Sequence, residues 1–372
     1  MPDLDRHISV WVDLDMWVDL DRHISAKIDD LSVFSLRCGS RTVLPMPRAR
    51  KHLVCLSDTP YYHVYSRCVR RAFLCGIDRH TGKSYEHRRA WIEDRLRVLS
   101  SLFSIQLCAY AVMSNHYHLV VKLNPGESDG WSDDEVLQRW TALFRGPLLV
   151  QRYLAGESLS HAEQDTVRSI AAVYRARLDS LSWFMKCLNE PIARQANAED
   201  GCTGHFWEAR FHSQPLCSEQ ALLAAMAYVD LNPIRAHVAQ TPENSEYTSI
   251  KTRLQGNYRR HTRLGSVVRM LERGELHHFD SPIRPLMGFS DRAAPVDGIR
   301  QAADVLPMLE QDYLQLVDAT GRLVAHGKRG RIDSSLAPIL DRLGLSPAQW
   351  TEASTDFRQH YRNGNLRLKK TA

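Results

Sequence analysis

Apolar and polar positions fall into a regular pattern from Asp58 onward. Residues 61–69 alternate aromatic and β-branched side chains with polar ones, which predicts a strand. A loop over 76–83 leads into residues 86–102, where Trp91, Leu96, Leu99 and Leu102 recur near helical spacing. Two further strands are predicted at 105–113 (IQLCAYAVM) and 116–123 (HYHLVVKL), and the Ser114-Asn115 break between them suits a tight hairpin turn. After a polar stretch at 124–133, residues 134–144 and 166–197 carry apolar side chains at three- and four-residue steps, reading as an insertion followed by a second core helix. Glycines at 201 and 204 break the chain, and residues 211–216 (FHSQPL) predict a fourth strand. Ser218 then makes a good N-cap, with Glu219 in the first turn of a helix reaching about Leu231.

The predicted order is βαββαβ plus one helix. It implies an α+β fold: a ferredoxin-like antiparallel sheet with helices on one face, a helical insertion over about 125–180 and a helical C-terminal extension. Such a fold says nothing by itself about activity. Residues 46–255 form the expected main domain and 256–372 a helical region, clearest at 306–317 and 336–350, with a basic Lys328-Arg329-Gly330-Arg331 loop between. The segment 336–350 reads as either half of a helix-turn-helix or a plain packing helix. Residues 1–45 are repetitive: Asp3-Leu4-Asp5-Arg6-His7-Ile8-Ser9 returns at 19–25, and Trp11-Val12-Asp13-Leu14-Asp15 at 17–21. This is read as a local duplication or upstream sequence, with a short hairpin repeat as the alternative, and no chemistry is placed on it.

Composition narrows the class. With 372 residues, 44% hydrophobic and 24% charged, the chain can bury a substantial core. Its net charge of +5 conceals an asymmetry, since residues 1–45 hold eight Asp against five Arg or Lys and the remainder carries about +8. A basic body attracts polyanions without identifying one. No apolar run approaches the roughly 18–20 residues of a membrane helix and no secretory signal is evident, so a cytoplasmic, non-membrane address is expected. Eight cysteines without a Cys-x-x-Cys pair read as reduced, mostly buried thiols.

Two places can carry chemistry. In the strand at 116–123, side chains two apart share a face, so His116 and His118 project together while Tyr117 turns away. Two imidazoles on one face can clamp a metal; such a pair also serves as a polar surface pair or a hydrogen-bonded half-buried one. The apolar Leu119-Val120-Val121 continuation marks a central, rigid strand, where a site is best built. In the helix after the fourth strand, Tyr228 and Asn232 stand four apart on one face. Because Pro233 disfavours the α conformation before it, Asn232 is expected at the very end of that helix with its amide turned outward. Read as packing alone, Tyr228 is a core-edge aromatic and Asn232 a C-terminal cap.

Three segments occur in order: His116-Tyr117-His118, Phe206-Trp207-Glu208-Ala209-Arg210-Phe211, and Tyr228-Val229-Asp230-Leu231-Asn232-Pro233-Ile234-Arg235-Ala236. Together they resemble the single-tyrosine HUH transposases, and more narrowly the REP-associated branch, over about residues 60–250. Each motif is weak alone; the ordered set is specific. The resemblance implies that His116 and His118 are metal ligands, that Asn232 is a third through its amide oxygen, and that Tyr228 is the nucleophile. It also implies that the helix packs across the strand so the two faces meet. The region between His118 and the second core helix is longer than the family pattern, and both termini fall outside it.

Mixed nitrogen and oxygen donors suit Mg²⁺ or Mn²⁺. Attack by Tyr228 would leave a 5′-phosphotyrosine and a free 3′-hydroxyl, and resealing would need no ATP, in keeping with the lack of a Walker-type glycine loop. The implied partner is DNA, as a single-stranded hairpin or palindromic repeat; one candidate tyrosine per chain means that two cleavages require a homodimer or sequential action. Candidate phosphate contacts are Arg67, Arg70 and Arg71 at the end of the first strand, Arg210 and Arg235 within the later motifs, and the flanking groups Arg48, Arg50, Lys51 and Arg259, Arg260, Arg263. Each cluster alone also reads as a solvated face. Two other classes compete: a domesticated hairpin-binding protein without transposition activity, and an unrelated metal-dependent hydrolase with a water nucleophile.

Overall fold

The computed structural model describes residues 56–69, 74–78, 81–255, 282–290, 305–323 and 330–342. The repetitive extension, Arg70, Arg71, the basic groups at 48–51 and 259–263, Lys328, Arg329 and residues 343–350 lie outside the described residues. Four strands, β1 (Tyr61–Arg67), β2 (Ile105–Val112), β3 (His116–Leu123) and β4 (His212–Pro215), form an antiparallel sheet in the order β2-β3-β1-β4. This is the ferredoxin-like arrangement expected from the pattern. The β2–β3 turn is as tight as its two polar residues imply, with the Met113 N–H donating to the His116 carbonyl at 2.8 Å.

Strand alternation decides what each face of the sheet can become. Tyr62, Val64, Tyr117, Leu119, Val121, Leu107, Tyr110 and Val112 point into one core. There they meet α1 (His87–Leu102) and α5 (Leu181–Glu199), the two helices of the βαββαβ unit. Between β3 and α5 lie α2 (Asp133–Thr141), α3 (Leu148–Leu154) and α4 (His161–Leu178). The 166–197 stretch therefore holds the last helix of the insertion and the second core helix, divided near residue 180 as expected. Asp179 and Ser180 break it, and the Ser180 hydroxyl caps α5 by accepting from the Trp183 N–H at 3.4 Å. Ser is a strong N-cap because its oxygen satisfies a helix N–H that has no intrahelical partner.

The opposite face belongs to α6 (Glu219–Arg235), which lies across β2 and β3. Small side chains permit the close approach: Ala109 and Ala111 from β2 share a buried cluster with Ala225 and Ala227 from α6. A bulge between Leu107 and Ala109 re-phases β2 so that both alanines fall on this face. Ser218 caps α6 as expected, accepting from the Ala221 N–H at 3.1 Å.

One expectation fails here: Asn232 is not the end of the helix, since α6 runs through Pro233 to Arg235. Proline removes one helical hydrogen bond, but Leu231, Pro233 and Ile234 are buried, and that burial outweighs the local preference. The stop comes at His237, whose φ of 56° is left-handed. There the Val238 N–H bonds the Pro233 carbonyl at 2.8 Å and the His237 N–H the Ile234 carbonyl at 3.0 Å, a Schellman closure.

Helix α7 (Ser249–Leu254), α8 (Glu310–Arg322) and the short α9 (Ile339–Arg342) complete the described elements. Tyr313, Leu314, Val317, Ile332 and Ile339 are buried in the same cluster as α6. No described helix is long and apolar enough to cross a membrane.

A candidate active site on the second face of the sheet

On the α6 side, β1 presents Tyr61, His63, Tyr65 and Arg67, and β3 presents His116, His118, Val120 and Lys122, by the period of two. Pairing brings them into rows: Tyr65 opposite His118, and Arg67 opposite His116. Both expected histidines share the face. Their ring centroids are 4.9 Å apart with planes at 89°. Tyr117 points the other way into the first core, donating its hydroxyl proton to Asn189 and standing edge-on to Trp207 at 5.6 Å. Burial raises its phenol well above the ordinary value, and the bonds to Ser66 and Asn189 oppose that only in part.

Helix α6 brings Tyr228 to the same place. Its ring lies 5.6 Å from that of His118 at 81°, and 6.0 Å from that of His63 at 83°. The strand histidines and the helix tyrosine, more than 100 residues apart, thus meet within one chain. Asn232 stands one helical turn beyond Tyr228.

Each imidazole is held on its Nδ1 side. His116 Nδ1 lies 2.6 Å from the Asn115 side-chain oxygen, and His118 Nδ1 lies 3.0 Å from His63 Nε2. A proton on Nδ1 donates to Asn115 and puts the lone pair of His116 on Nε2, the arrangement a metal-binding imidazole needs. The Asn232 side-chain nitrogen is buried without a hydrogen-bond partner among the described residues. An amide in that state can present its oxygen to a cation, because turning it over breaks no bond. Two imidazoles with oriented Nε2 atoms and an unsatisfied amide fit a hard to borderline divalent ion. Among the described residues, no group of three or more His, Cys, Asp or Glu is arranged to hold a metal.

The pattern did not single out His63, Tyr65 or His212. Burial lowers the His63 pKa to about 4, so this imidazole is neutral. Burial also raises the Tyr65 phenol, with Arg67 opposing and Glu208 adding to the shift. The Tyr65 ring lies 5.7 Å from that of His118 and stacks on that of His212 at 4.6 Å and 12°. Alternation along 61–67 held the needed signal, since it places His63 and Tyr65 on one face; only the strand register shows that this is the face of His116 and His118.

The arginines divide. Arg67 sits on the site face, with a buried Nε that has no hydrogen-bond partner among the described residues. Arg210 is exposed on the loop before β4, and that loop follows the end of β1 through the Glu208 N–H to Arg67 carbonyl bond of 2.9 Å. Arg235 is engaged elsewhere: it donates to the carbonyls of Leu323 at 2.6 Å, Thr320 at 2.7 Å and Gly330 at 3.2 Å.

No protein-family model matches the chain, and no curated protein matches it either. Among solved structures, a REP-associated tyrosine transposase bound to a REP hairpin is similar over 59% of this chain and 88% of its own. The identity is 11% and the TM-score 0.31, a level of likeness that carries no argument about activity.

Proposed function

We propose that the chain is a metal-dependent tyrosine transposase that cleaves and rejoins single-stranded hairpin DNA. The observation that carries this reading is the meeting of the Tyr228 ring with the oriented His116–His118 pair. The three ordered sequence motifs, two of which supply these residues, support it.

In this reading His116, His118 and Asn232 hold a Mg²⁺ or Mn²⁺ ion. When bound, the ion supplies Lewis-acid polarisation of the scissile phosphate. Tyr228 attacks phosphorus in line through its phenol oxygen. A tyrosyl oxygen–phosphorus bond forms, the phosphorus–O3′ bond breaks, and the proton lost by the phenol balances the one gained by the departing 3′-oxygen. The 5′-phosphotyrosine keeps the energy of the phosphodiester, so a 3′-hydroxyl can reverse the step without ATP. Arg67 and Arg210 flank the site as phosphate contacts.

Incubation with labelled hairpin DNA and Mn²⁺ tests this. A protein–DNA adduct that survives denaturation is expected from the wild type and not from Tyr228→Phe. Adduct from Tyr228→Phe removes the nucleophile assignment. Retarded DNA without adduct identifies a hairpin-binding protein, and cut DNA with unlabelled protein a hydrolase.

A further inference from the structure

The site is not isolated on its sheet. Strand register places Ala111, His118, Tyr65 and His212 in one row, running from β2 through β3 and β1 to β4. Three of these four residues are rings. His118 and Tyr65 have centroids 5.7 Å apart at 46°, and Tyr65 and His212 are 4.6 Å apart and nearly parallel at 12°. The row ends on β4, the edge strand, where His212 is exposed and Tyr65 behind it is half-buried.

A flat imidazole stacked on a phenol is more than packing requires at a sheet edge. Cross-strand pairs at edges are more often solvated polar side chains, whereas here a near-parallel π pair is held at the rim of a catalytic face. Aromatic faces at a sheet surface receive bases of single-stranded nucleic acid, because every base has a π face and stacking tolerates any sequence. The charge pattern agrees. Arg67 is two residues beyond Tyr65 on the same strand face, opposite His116, and Arg210 is exposed two residues before His212. The row spans two interstrand spacings, roughly 10 Å, from His118 to His212.

We propose that the His118–Tyr65–His212 row is a stacking track whose outer platform, His212, receives a base of single-stranded DNA roughly 10 Å from the histidine pair. The inference rests on the DNA reading above and adds the side of the site from which the strand arrives: across β1 and over the β4 edge. It explains why an exposed strand of only four residues, His212–Pro215, carries a ring in register with the site.

An oligothymidylate carrying one central 2-aminopurine tests it, because stacking on a ring quenches 2-aminopurine fluorescence. The full-length wild type is expected to quench on binding. His212→Ala should lose most of the quench and bind roughly tenfold more weakly, a typical loss for one base–ring stack. His212→Phe, which keeps a π face and discards the ring nitrogens, should restore both. Wild-type affinity in His212→Ala overturns the proposal. So does a His212→Phe protein as weak as His212→Ala, since hydrogen bonding or charge would then account for the effect. Adduct formation with hairpin DNA and Mn²⁺ is scored separately. Adduct without quench removes the track and leaves the nucleophile reading; quench without adduct keeps the track and removes the transposase chemistry.

Discussion

The Nε2 of His63 lies 3.0 Å from the Nδ1 of His118, in a buried hydrogen bond between neighbouring strands. One nitrogen of this pair must hold the proton and the other the lone pair. Burial lowers the His63 pKa to about 4, so His63 is neutral and can accept through Nε2. With a metal on its Nε2, as proposed, His118 would carry its proton on Nδ1 and donate it to His63 Nε2. In that proposed site His63 would be a positioning residue acting through His118. Partners of this kind typically contribute 10–100-fold in metal affinity. His63→Phe is expected to weaken Mn²⁺ binding by about that factor in titration calorimetry, and His63→Gln, which keeps a carbonyl acceptor, to retain most of it. Equal affinity in wild type and His63→Phe would remove this role.

The same imidazole links stability to acidity in the metal-free protein. Its folded pKa, about 4, is below the ordinary 6.5. A depressed folded value means the unfolded chain takes up the proton first as pH falls. The stabilisation is complete above about 6.5, drains between 6.5 and 4, and is gone below 4. The shift corresponds to at most on the order of 3 kcal/mol. Denaturant unfolding at pH 7 and at pH 4.5 should therefore differ by less in His63→Phe than in the wild type. Equal pH dependence in the two proteins would contradict a neutral, buried His63.

Much of this site was legible before any fold was known, for reasons particular residues make clear. The period of two placed His116 and His118 on one face, and Ser218 announced the start of the helix bearing Tyr228. Pattern could not supply register. His63 and Tyr65 share a face by the same rule, yet only pairing of β1 with β3 makes that face the site. The end of α6 was misplaced because Pro233 was read from local preference, whereas burial of Ile234 and the left-handed His237 decide where the helix stops. The end of the insertion near residue 180 was placed correctly, and the capping hydroxyl of Ser180 fixes it there, although apolar spacing alone continues across the break.

Two arginines that looked alike in sequence should behave differently. Arg210 is exposed beside the end of β1, so Arg210→Ala should weaken single-stranded DNA binding alike for all sequences. It should also flatten the salt dependence by about 0.7 per lost phosphate contact. Its folding stability should stay within about 0.5 kcal/mol of wild type. Arg235 holds the carbonyls of Thr320, Leu323 and Gly330. Arg235→Ala should therefore cost about 1–3 kcal/mol of stability and leave the salt slope unchanged. A changed slope in Arg235→Ala would restore it as a phosphate contact.

Helices α7 and α8 hold α6 through a buried carboxylate. Asp230, two residues beyond Tyr228, is fully buried and accepts from the Ser249 hydroxyl at 2.5 Å, the Ile250 N–H at 2.9 Å and the Tyr313 hydroxyl at 2.6 Å. Burial raises its pKa, and the three donors with the Arg253 charge counter that in part. Tyr313→Phe keeps the ring in its apolar bed and removes one donor, leaving a carboxylate oxygen short of a partner. A cost of about 1–3 kcal/mol follows, read as a lowered thermal midpoint. The effect should not stop at stability. Tyr228 sits on the helix that this carboxylate anchors, and misplacement of a reacting group by about 1 Å can cost on the order of 100-fold in rate. Single-turnover adduct formation at saturating hairpin DNA should therefore slow in Tyr313→Phe even below its melting transition, with DNA affinity little changed. A wild-type adduct rate in a Tyr313→Phe protein of lowered midpoint would confine α8 to a supporting role in folding and separate it from the chemistry.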